Sequence, residues 1–313
     1  MRVLVTGASG FVGKALCKEL ANRGFDIVAV TRTRDAGLSE IACKLIMADL
    51  ADINDEIQST LQQVDVLIHV AGRAHIIKEQ SKNPYQEYAK INIEATKNLA
   101  QKAASTGVKR FIFISSVKVN GEATLNQPFD EATVPNPEDD YGKTKYEAEK
   151  ELKLIATNSN MEIVIIRPPL IYGRGVKANL KNLIKVCQSK LPLPFGAIDN
   201  KRSMVYIENL VDFMITCISH PKAANETFLI SDDEDVSTTA LIRAIRQSLG
   251  TPALQIAIPQ QWIVYLMNLF GKKSLASRLC GNLQVDITKA KTLLGWKPPF
   301  NFEQGINNTI QEK

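Results

Sequence analysis

Hydrophobic and polar positions follow two alternating periods through the first half of the chain. Short apolar runs rich in β-branched residues predict strands at residues 2–6, 26–30, 44–47, 66–70, 110–115 and 162–167. Helical periodicity between these runs covers residues 11–23, 84–105 and 140–156. Strands that alternate with helices form βαβ units, in which helices cover both faces of a parallel sheet. The pattern therefore predicts an α/β fold built on a doubly wound parallel sheet.

The regular alternation weakens beyond residue 167, where Pro168, Pro169 and Gly173 interrupt the periodic pattern. We expect residues 1–167 to form one domain. Residues 168–313 are expected to form mainly a smaller C-terminal α/β lobe, with some segments that return to the first domain.

One apolar run in the second half is unusually long. Residues 262–270 read WIVYLMNLF. This run is much shorter than the ~20 residues that a membrane-spanning helix needs. It predicts a buried helix, with a surface that docks on a partner or a membrane as the alternative.

Composition narrows the classes of function. The chain has 313 residues, 45% of them hydrophobic and 23% charged, which is typical of a globular protein. The net charge of +5 is too small to indicate a nucleic-acid partner. The sequence begins without the pattern of a signal peptide and has no predicted transmembrane segment, so we expect a cytoplasmic protein. No metal-ligand spacing occurs among its cysteines and histidines, which are Cys17, Cys43, Cys187, Cys217, Cys280, His69, His75 and His220.

A glycine-rich turn follows the first predicted strand and opens the first helix. Glycine allows the backbone to approach a pyrophosphate, and the helix N-terminus offers free N–H donors. The expected cofactor contacts in this turn are Gly7, Ser9, Gly10, Phe11, Val12 and Gly13. The GxxGxxG spacing resembles the short-chain dehydrogenase/reductase superfamily, and TGASGFVG resembles its extended branch, which modifies nucleotide sugars. The resemblance covers nearly the whole chain and implies a Rossmann-type fold.

The residues after the second strand bear on the choice of cofactor. The strand ends at Thr31, followed by Arg32 and Arg34, with no acid at its tip. An acid there would bind an NAD ribose, whereas arginines can pair with the 2′-phosphate of NADP. We therefore expect NADP in preference to NAD, unless both arginines are simply solvated. The resemblance implies further cofactor contacts from Asp49, Leu50, Val70, Ala71, Gly72 and Pro168.

Two side chains of a predicted helix suit acid–base chemistry. Tyr141 and Lys145 are four residues apart and thus share one helix face. A free tyrosine has a pKa of ~10, and a neighbouring cation lowers it. Ser116, at the end of the fifth strand, would hold the substrate oxygen. Tyr141, Ser116 and Lys145 are the predicted catalytic residues. The resemblance implies that Lys145 also binds the nicotinamide ribose and that Tyr141 contacts the cofactor.

The resemblance also suggests residues that contact a UDP-sugar. Arg202 matches a family arginine that binds the nucleotide diphosphate, and guanidinium suits phosphate. His75 and Lys118 flank the expected pocket beside Ser116, and Asn179 is a further candidate. The segments HVAGRAH, ISSVKVNGEAT and IIRPPLIYG resemble polysaccharide-locus enzymes. That group includes UDP-N-acetylquinovosamine dehydrogenases and UDP-glucose 4-epimerase-like proteins.

Several functions are compatible with these residues. The favoured hypothesis is an NADP-dependent reductase of a UDP-4-keto-6-deoxy-N-acetylhexosamine in lipopolysaccharide or capsule biosynthesis. The alternative is a UDP-hexose 4-epimerase that retains NAD. A dehydratase is less favoured, since residues 117–118 supply no acid/base pair, and a dinucleotide sensor would not need the three catalytic residues together. A homodimer through residues 84–105 and 140–156 would resemble the family.

Overall fold

A seven-stranded parallel sheet forms the centre of the molecule. The computed structural model describes residues 1–311 apart from residues 42, 54, 74–82 and 177, without the side chains of residues 36, 43, 178, 179 and 274. Across the sheet, the strands lie in the order β3 (Cys43–Met47), β2 (Asp26–Thr31), β1 (Arg2–Thr6), β4 (Val66–His69), β5 (Arg110–Ile114), β6 (Glu162–Arg167) and β9 (Thr227–Leu229). Every neighbouring pair is parallel. The strand order reverses between β1 and β4, and open α/β sheets bind ligands beside such a reversal.

Helices cover both faces of this sheet. Those of the first half are α1 (Phe11–Asn22), α2 (Ala36–Ser39), α3 (Asp55–Leu61), α4 (Pro84–Ala89), α5 (Ala95–Thr106) and α6 (Asp140–Thr157). Successive side chains of a strand point to opposite faces. Accordingly, Val3 and Val5 pack in one core cluster with α1, while Leu4 packs in another with α5 and α6. The predicted doubly wound α/β fold is confirmed.

The predicted helix over residues 84–105 is interrupted. A π-helical turn, Lys90–Glu94, separates α4 from α5. Such turns insert an extra residue into a helix and are frequent at functional sites. The interruption turns Asn92 into the buried interior.

A three-stranded sheet lies in the second half of the chain. Its strands follow the order β10 (Asp235–Val236), β8 (Arg202–Tyr206) and β7 (Leu170–Tyr172). The accompanying helices are α7 (Ala178–Cys187), α8 (Ile207–Ser219), α9 (Thr238–Ser248), α10 (Gln260–Leu269), α11 (Lys273–Cys280), α12 (Thr288–Leu294) and α13 (Phe302–Ile310). Strand β9 belongs to this half of the sequence but pairs with β6 in the large sheet. The domain boundary at residue 167 remains a proposal.

The apolar run at residues 262–270 forms α10, but the prediction that this helix is buried is wrong. Ile263 is its only buried residue, whereas Trp262 and Tyr265 are 62% and 63% exposed. The run is apolar on two sides of the helix, and the rest of the described chain covers only one of them. Among the described residues, no helix is long and apolar enough to cross a membrane.

Candidate active site

The glycine turn brings β1, α1 and the segment after β4 into close contact. Gly7 has a positive φ of 68°, and a Cβ atom there would lie 2.7 Å from the Ala71 Cα. A Cβ atom on Gly13 would lie 2.2 Å from the Gly7 carbonyl oxygen. Only glycine permits this packing at both positions. Helix α1 begins after Gly10 with no side-chain cap and no acid in its first turn, which leaves N–H donors free for a phosphate.

The other predicted cofactor residues follow the carboxyl ends of neighbouring strands. Thr31 is buried at the end of β2 and donates a 2.8 Å hydrogen bond to the Thr33 carbonyl. Pro168 follows β6, and its carbonyl accepts a hydrogen bond from the Val117 amide. Parallel strands place these ends along one edge of the sheet. The remaining predicted contacts at this edge are Ser9, Phe11, Val12, Arg32, Arg34, Asp49, Leu50, Val70, Ala71 and Gly72.

An acid lies near the end of β2 after all. Asp35 stands four residues beyond Thr31 and caps α2 by accepting a hydrogen bond from the Leu38 amide. Its other carboxylate oxygen lies 2.8 Å from the Lys14 ammonium on α1. The hydrogen bond from Lys14 is the main cause that lowers the pKa of Asp35. The expectation of NADP rested on the lack of an acid at this strand, and Asp35 weakens that reasoning.

The three predicted catalytic residues come together between β5 and α6. Ser116 follows β5, and its hydroxyl lies close enough to the Tyr141 hydroxyl to act on the pKa of that phenol, which it lowers. Lys145 lies one turn beyond Tyr141 on α6 and donates a 2.8 Å hydrogen bond to the Ile114 carbonyl. The Ser116 hydroxyl also accepts a hydrogen bond from the Lys118 amide. A phenol, a hydroxyl and an amine therefore share one small cluster.

Burial controls the protonation of this cluster. It is the largest of the causes that raise the pKa of Tyr141 to about 12; the Asp139 carboxylate adds to this rise, and the Ser116 hydroxyl opposes it. Burial lowers the pKa of Lys145 to about 7, although Glu149 opposes that shift. Without an added positive charge the phenol keeps its proton. A cation placed beside it would favour the phenolate and convert Tyr141 into a base.

A buried polar network lies behind the catalytic residues. The Arg167 guanidinium contacts both carboxylate oxygens of Glu149, at 3.0 and 2.5 Å. Ser115 donates a 2.5 Å hydrogen bond to the same carboxylate, and Asn120 accepts one from Arg167. The network joins the ends of β5 and β6 to the helix that carries Tyr141. Sequence reasoning missed Glu149, although its position four residues beyond Lys145 on the same helix face was a usable signal.

Asn92 is a second residue that sequence reasoning missed. Its side chain accepts a 2.9 Å hydrogen bond from the Arg73 amide and donates one to Thr144 on α6. A Cβ atom on Gly72 would lie 3.2 Å from the Asn92 Oδ1 and 3.3 Å from the Lys145 Nζ. Gly72 thus keeps open the space between these two polar atoms. No local sequence pattern predicted the π-helical turn that positions Asn92.

Two of the predicted substrate residues, Lys118 and Arg202, share the charge of Glu122 as a neighbour. Lys118 pairs with Glu122 and with Asp139, at 2.7 and 2.5 Å. Burial disfavours the Lys118 ammonium, but these two carboxylates outweigh it and raise its pKa. Burial lowers the pKa of Arg202, and the positive charge of Arg278 adds to that effect while Glu122 opposes it. Arg278, on α11, is therefore a neighbour of Arg202 that sequence reasoning missed.

Two of the predicted substrate residues cannot be placed in this site, and His69 takes no part in its chemistry. His75 and the Asn179 side chain lie outside the described residues. His69 is buried between the hydroxyls of Thr6 and Thr96, and burial lowers its pKa to about 3. It is a neutral core residue. The described residues contain no group of three or more metal-ligating side chains.

Similarity to known proteins extends along the whole chain. Residues 3–231 match the NAD dependent epimerase/dehydratase family. A UDP-glucose 4-epimerase of Vibrio cholerae is 44% identical over 313 residues, which cover 99% of this chain and 94% of that protein. An N-acetyl-alpha-D-glucosaminyl-diphospho-ditrans,octacis-undecaprenol 4-epimerase of Escherichia coli O157:H7 is 29% identical and covers the same shares.

The same fold occurs in solved structures. The UDP-glucuronic acid 4-epimerase of Bacillus cereus in complex with NAD superimposes with a TM-score of 0.79 at 24% identity, covering 98% of this chain and 97% of that one. That complex contains NAD, so a preference for NADP finds no support there. The family match and the 44% relative together identify the chain as a member of the NAD dependent epimerase/dehydratase family, an enzyme of the short-chain dehydrogenase/reductase type.

Proposed function

We propose that the protein is a UDP-sugar 4-epimerase that retains NAD. The observation that carries this proposal is the 44% identity, over nearly its full length, with a UDP-glucose 4-epimerase. The Ser116, Tyr141 and Lys145 cluster supplies the side chains that such chemistry needs. The reductase favoured from sequence has weaker support, because it drew on an expected preference for NADP.

The proposed roles follow from the geometry of the cluster. NAD, when bound, supplies the group that takes a hydride from C4 of the sugar and returns it. The Tyr141 Oη takes the proton of the C4 hydroxyl and gives it back. Ser116, whose hydroxyl lies near that of Tyr141, holds the sugar oxygen and stabilises negative charge that develops there. Because the pKa of Tyr141 is raised to about 12, mainly by burial, proton transfer requires positive charge nearby.

Lys145 is suited to respond to that requirement. Its ammonium is buried beside Phe113 and Gly72, with the Ile114 carbonyl as hydrogen-bond acceptor. Because the pKa of Lys145 is about 7, its charged and neutral forms are close in free energy at neutral pH. A phenolate on the same helix face would favour the ammonium, so the charges on Tyr141 and Lys145 would rise and fall together.

NAD fits the carboxyl edge of the large sheet. Its pyrophosphate would lie at the uncapped start of α1, against the turn that Gly7 and Gly13 make possible. Its nicotinamide end would lie near Lys145 and Gly72. Asp35 offers a carboxylate on the side of the adenosine ribose. Arg202 and Lys118 are proposed to contact the UDP-sugar, the former at the diphosphate.

The direct test uses purified protein with no added cofactor. We expect denaturation to release NAD in near-stoichiometric amount, and UDP-glucose to be converted to UDP-galactose. Parallel assays supply UDP-N-acetylglucosamine, and NADPH with UDP-4-keto-6-deoxy-N-acetylglucosamine. Protein that releases no nicotinamide, leaves both UDP-sugars unchanged and oxidises NADPH with the keto sugar would be a reductase, and the proposal would be wrong.

A further inference from the structure

Helix α10 carries an apolar face that nothing in the described chain covers. Its outward residues Trp262, Tyr265, Leu266 and Leu269 have the spacing of one helix face, and their exposed fractions run from 48% to 68%. Phe270, directly after the helix, is 72% exposed. Two aromatic rings, two leucines and a further phenylalanine therefore form one continuous strip.

The opposite side of α10 is the one that packs against the rest of the protein and anchors the helix. Ile263, Val264 and Met267 pack against a small core cluster that includes Ile198 and Cys280. A helix that needs only this anchor could carry polar residues on its outward face. Contiguous exposed apolar surface of this kind marks an interaction site, whereas single exposed residues such as Leu125 are ordinary.

The surroundings of this strip are positively charged. From residue 236 to residue 285 the sequence contains no aspartate or glutamate. Of the five basic residues in this range, Arg246 is fully buried and adds nothing to the surface charge, which leaves Arg243, Lys272, Lys273 and Arg278. Lys272 and Lys273 are exposed and follow Phe270 at the junction of α10 with α11. The surface that best complements this arrangement is apolar and carries negative charge at its boundary with water.

An anionic bilayer has those properties. Tryptophan and tyrosine place an apolar ring and a polar tip at the level of the lipid headgroups, and lysine stems extend their ammonium groups to phosphate. A second copy of the chain is disfavoured as the partner, because in a symmetric contact this face meets itself, and residues 236–285 supply no acid to pair with Lys272 and Lys273. We infer that the outward face of α10, with Lys272 and Lys273, docks on the surface of an anionic phospholipid bilayer.

Docking there has a consequence for the active site. Helix α11 ends at Cys280, and the carbonyl of the next residue, Gly281, accepts a 3.1 Å hydrogen bond from Arg202. Docking of α10 would therefore act on a pair of packed helices, α10 and α11, whose end holds Arg202, the residue proposed to bind the diphosphate. The inference goes beyond the proposed function and does not depend on it, since binding to lipid is measured without turnover.

Vesicle sedimentation tests the inference with the full chain. We expect the protein to sediment with phosphatidylglycerol vesicles and to remain in solution with phosphatidylcholine vesicles. Leu269→Glu should lower partitioning by ~10-fold or more, because it places a charge where an apolar side chain enters the bilayer. Replacing Lys272 or Lys273 by glutamine should lower partitioning onto the vesicles by roughly 5-fold for each lysine replaced. The matched control is Leu125→Glu, a change at a 91% exposed leucine elsewhere, and it should have no effect.

Tryptophan fluorescence supplies an independent measurement. The chain has two tryptophans, of which Trp296 is 5% exposed and Trp262 is 62% exposed. Vesicle binding should therefore shift the emission to the blue, and Trp262→Phe should abolish the shift while sedimentation persists. No sedimentation with phosphatidylglycerol, or equal sedimentation of Leu269→Glu, would overturn the inference. It would also be overturned by a dimer that Leu269→Glu dissociates, since the face would then belong to a second copy.

Discussion

The catalytic side and the substrate side of the site are built differently. Ser116, Tyr141 and Lys145 lie on one strand end and one helix, with the buried Glu149–Arg167 ion pair behind them. The substrate side draws its charges from segments far apart in sequence, and Glu122 is close to both Lys118 and Arg202. The first arrangement is held by buried hydrogen bonds within the chain. In the second arrangement, the Glu122 carboxylate already neutralises part of the positive charge of Lys118 and Arg202. A diphosphate would have to compete with Glu122 for these two cations.

The largest effect is expected on the catalytic side. Tyr141→Phe removes the hydroxyl that moves the proton but keeps the ring in place. Turnover should fall by ~10²-fold or more, as for other positioned acid–base groups. The NAD released on denaturation should be unchanged, because the ring does not hold the pyrophosphate. Near-normal turnover of this variant on a verified substrate would show that the assignment of Tyr141 is wrong.

Next in size is the effect of breaking the network that supports α6. Glu149→Gln leaves the Arg167 guanidinium buried without a counter-charge, and removal of one partner of a buried pair typically costs about 3–5 kcal/mol. Urea denaturation should show that loss in the free energy of unfolding. The control is Glu147→Gln on the same helix, which breaks the exposed pair with Lys150 and should cost about 1 kcal/mol or less. Equal losses in the two variants would contradict the structural role given to Glu149.

The substrate side should respond in affinity and not in turnover. Arg202→Ala removes a charge-assisted contact to the diphosphate, worth about 1.5–3 kcal/mol, so KM for the UDP-sugar should rise by roughly 10-fold or more. The kcat value and the bound NAD should change little. Arg243→Ala, at an exposed arginine of α9, is the matched control. A fall in kcat without a change in KM would place Arg202 in the chemistry and remove the contrast between the two sides.

A smaller effect is expected from the core behind the catalytic residues. Burial holds the pKa of His69 at about 3, against 6.5 in the unfolded chain, and Lys145 adds to the shift. Between these values the unfolded chain binds the extra proton, so acidification from pH 6.5 favours unfolding, by about 1.4 kcal/mol per pH unit. Urea denaturation at several pH values gives the free energy of unfolding as a function of pH. Below pH 6.5 this free energy should fall less steeply with decreasing pH for His69→Asn than for the unmodified protein. Identical slopes would mean that His69 is not held neutral.

The sequence predicted much of the catalytic side because its signals are local. A glycine turn after a strand, and Tyr141 four residues before Lys145, are short-range patterns with a direct structural meaning. Glu149–Arg167, Asn92 and Arg278 act through partners distant in sequence, which periodicity cannot identify. Helix α10 was predicted as a helix for the right reason, but an apolar pattern does not tell which of two apolar faces the fold covers.

The most direct test of the proposed epimerase follows a single hydrogen atom. UDP-glucose carrying deuterium at C4 is incubated with the purified protein and no added cofactor, and the products are examined by NMR and mass spectrometry. If the enzyme retains NAD and returns the hydride to the same sugar, UDP-galactose should form with deuterium still at C4. UDP-galactose that has lost this deuterium to solvent or to released nicotinamide would contradict the account, as would the absence of any conversion.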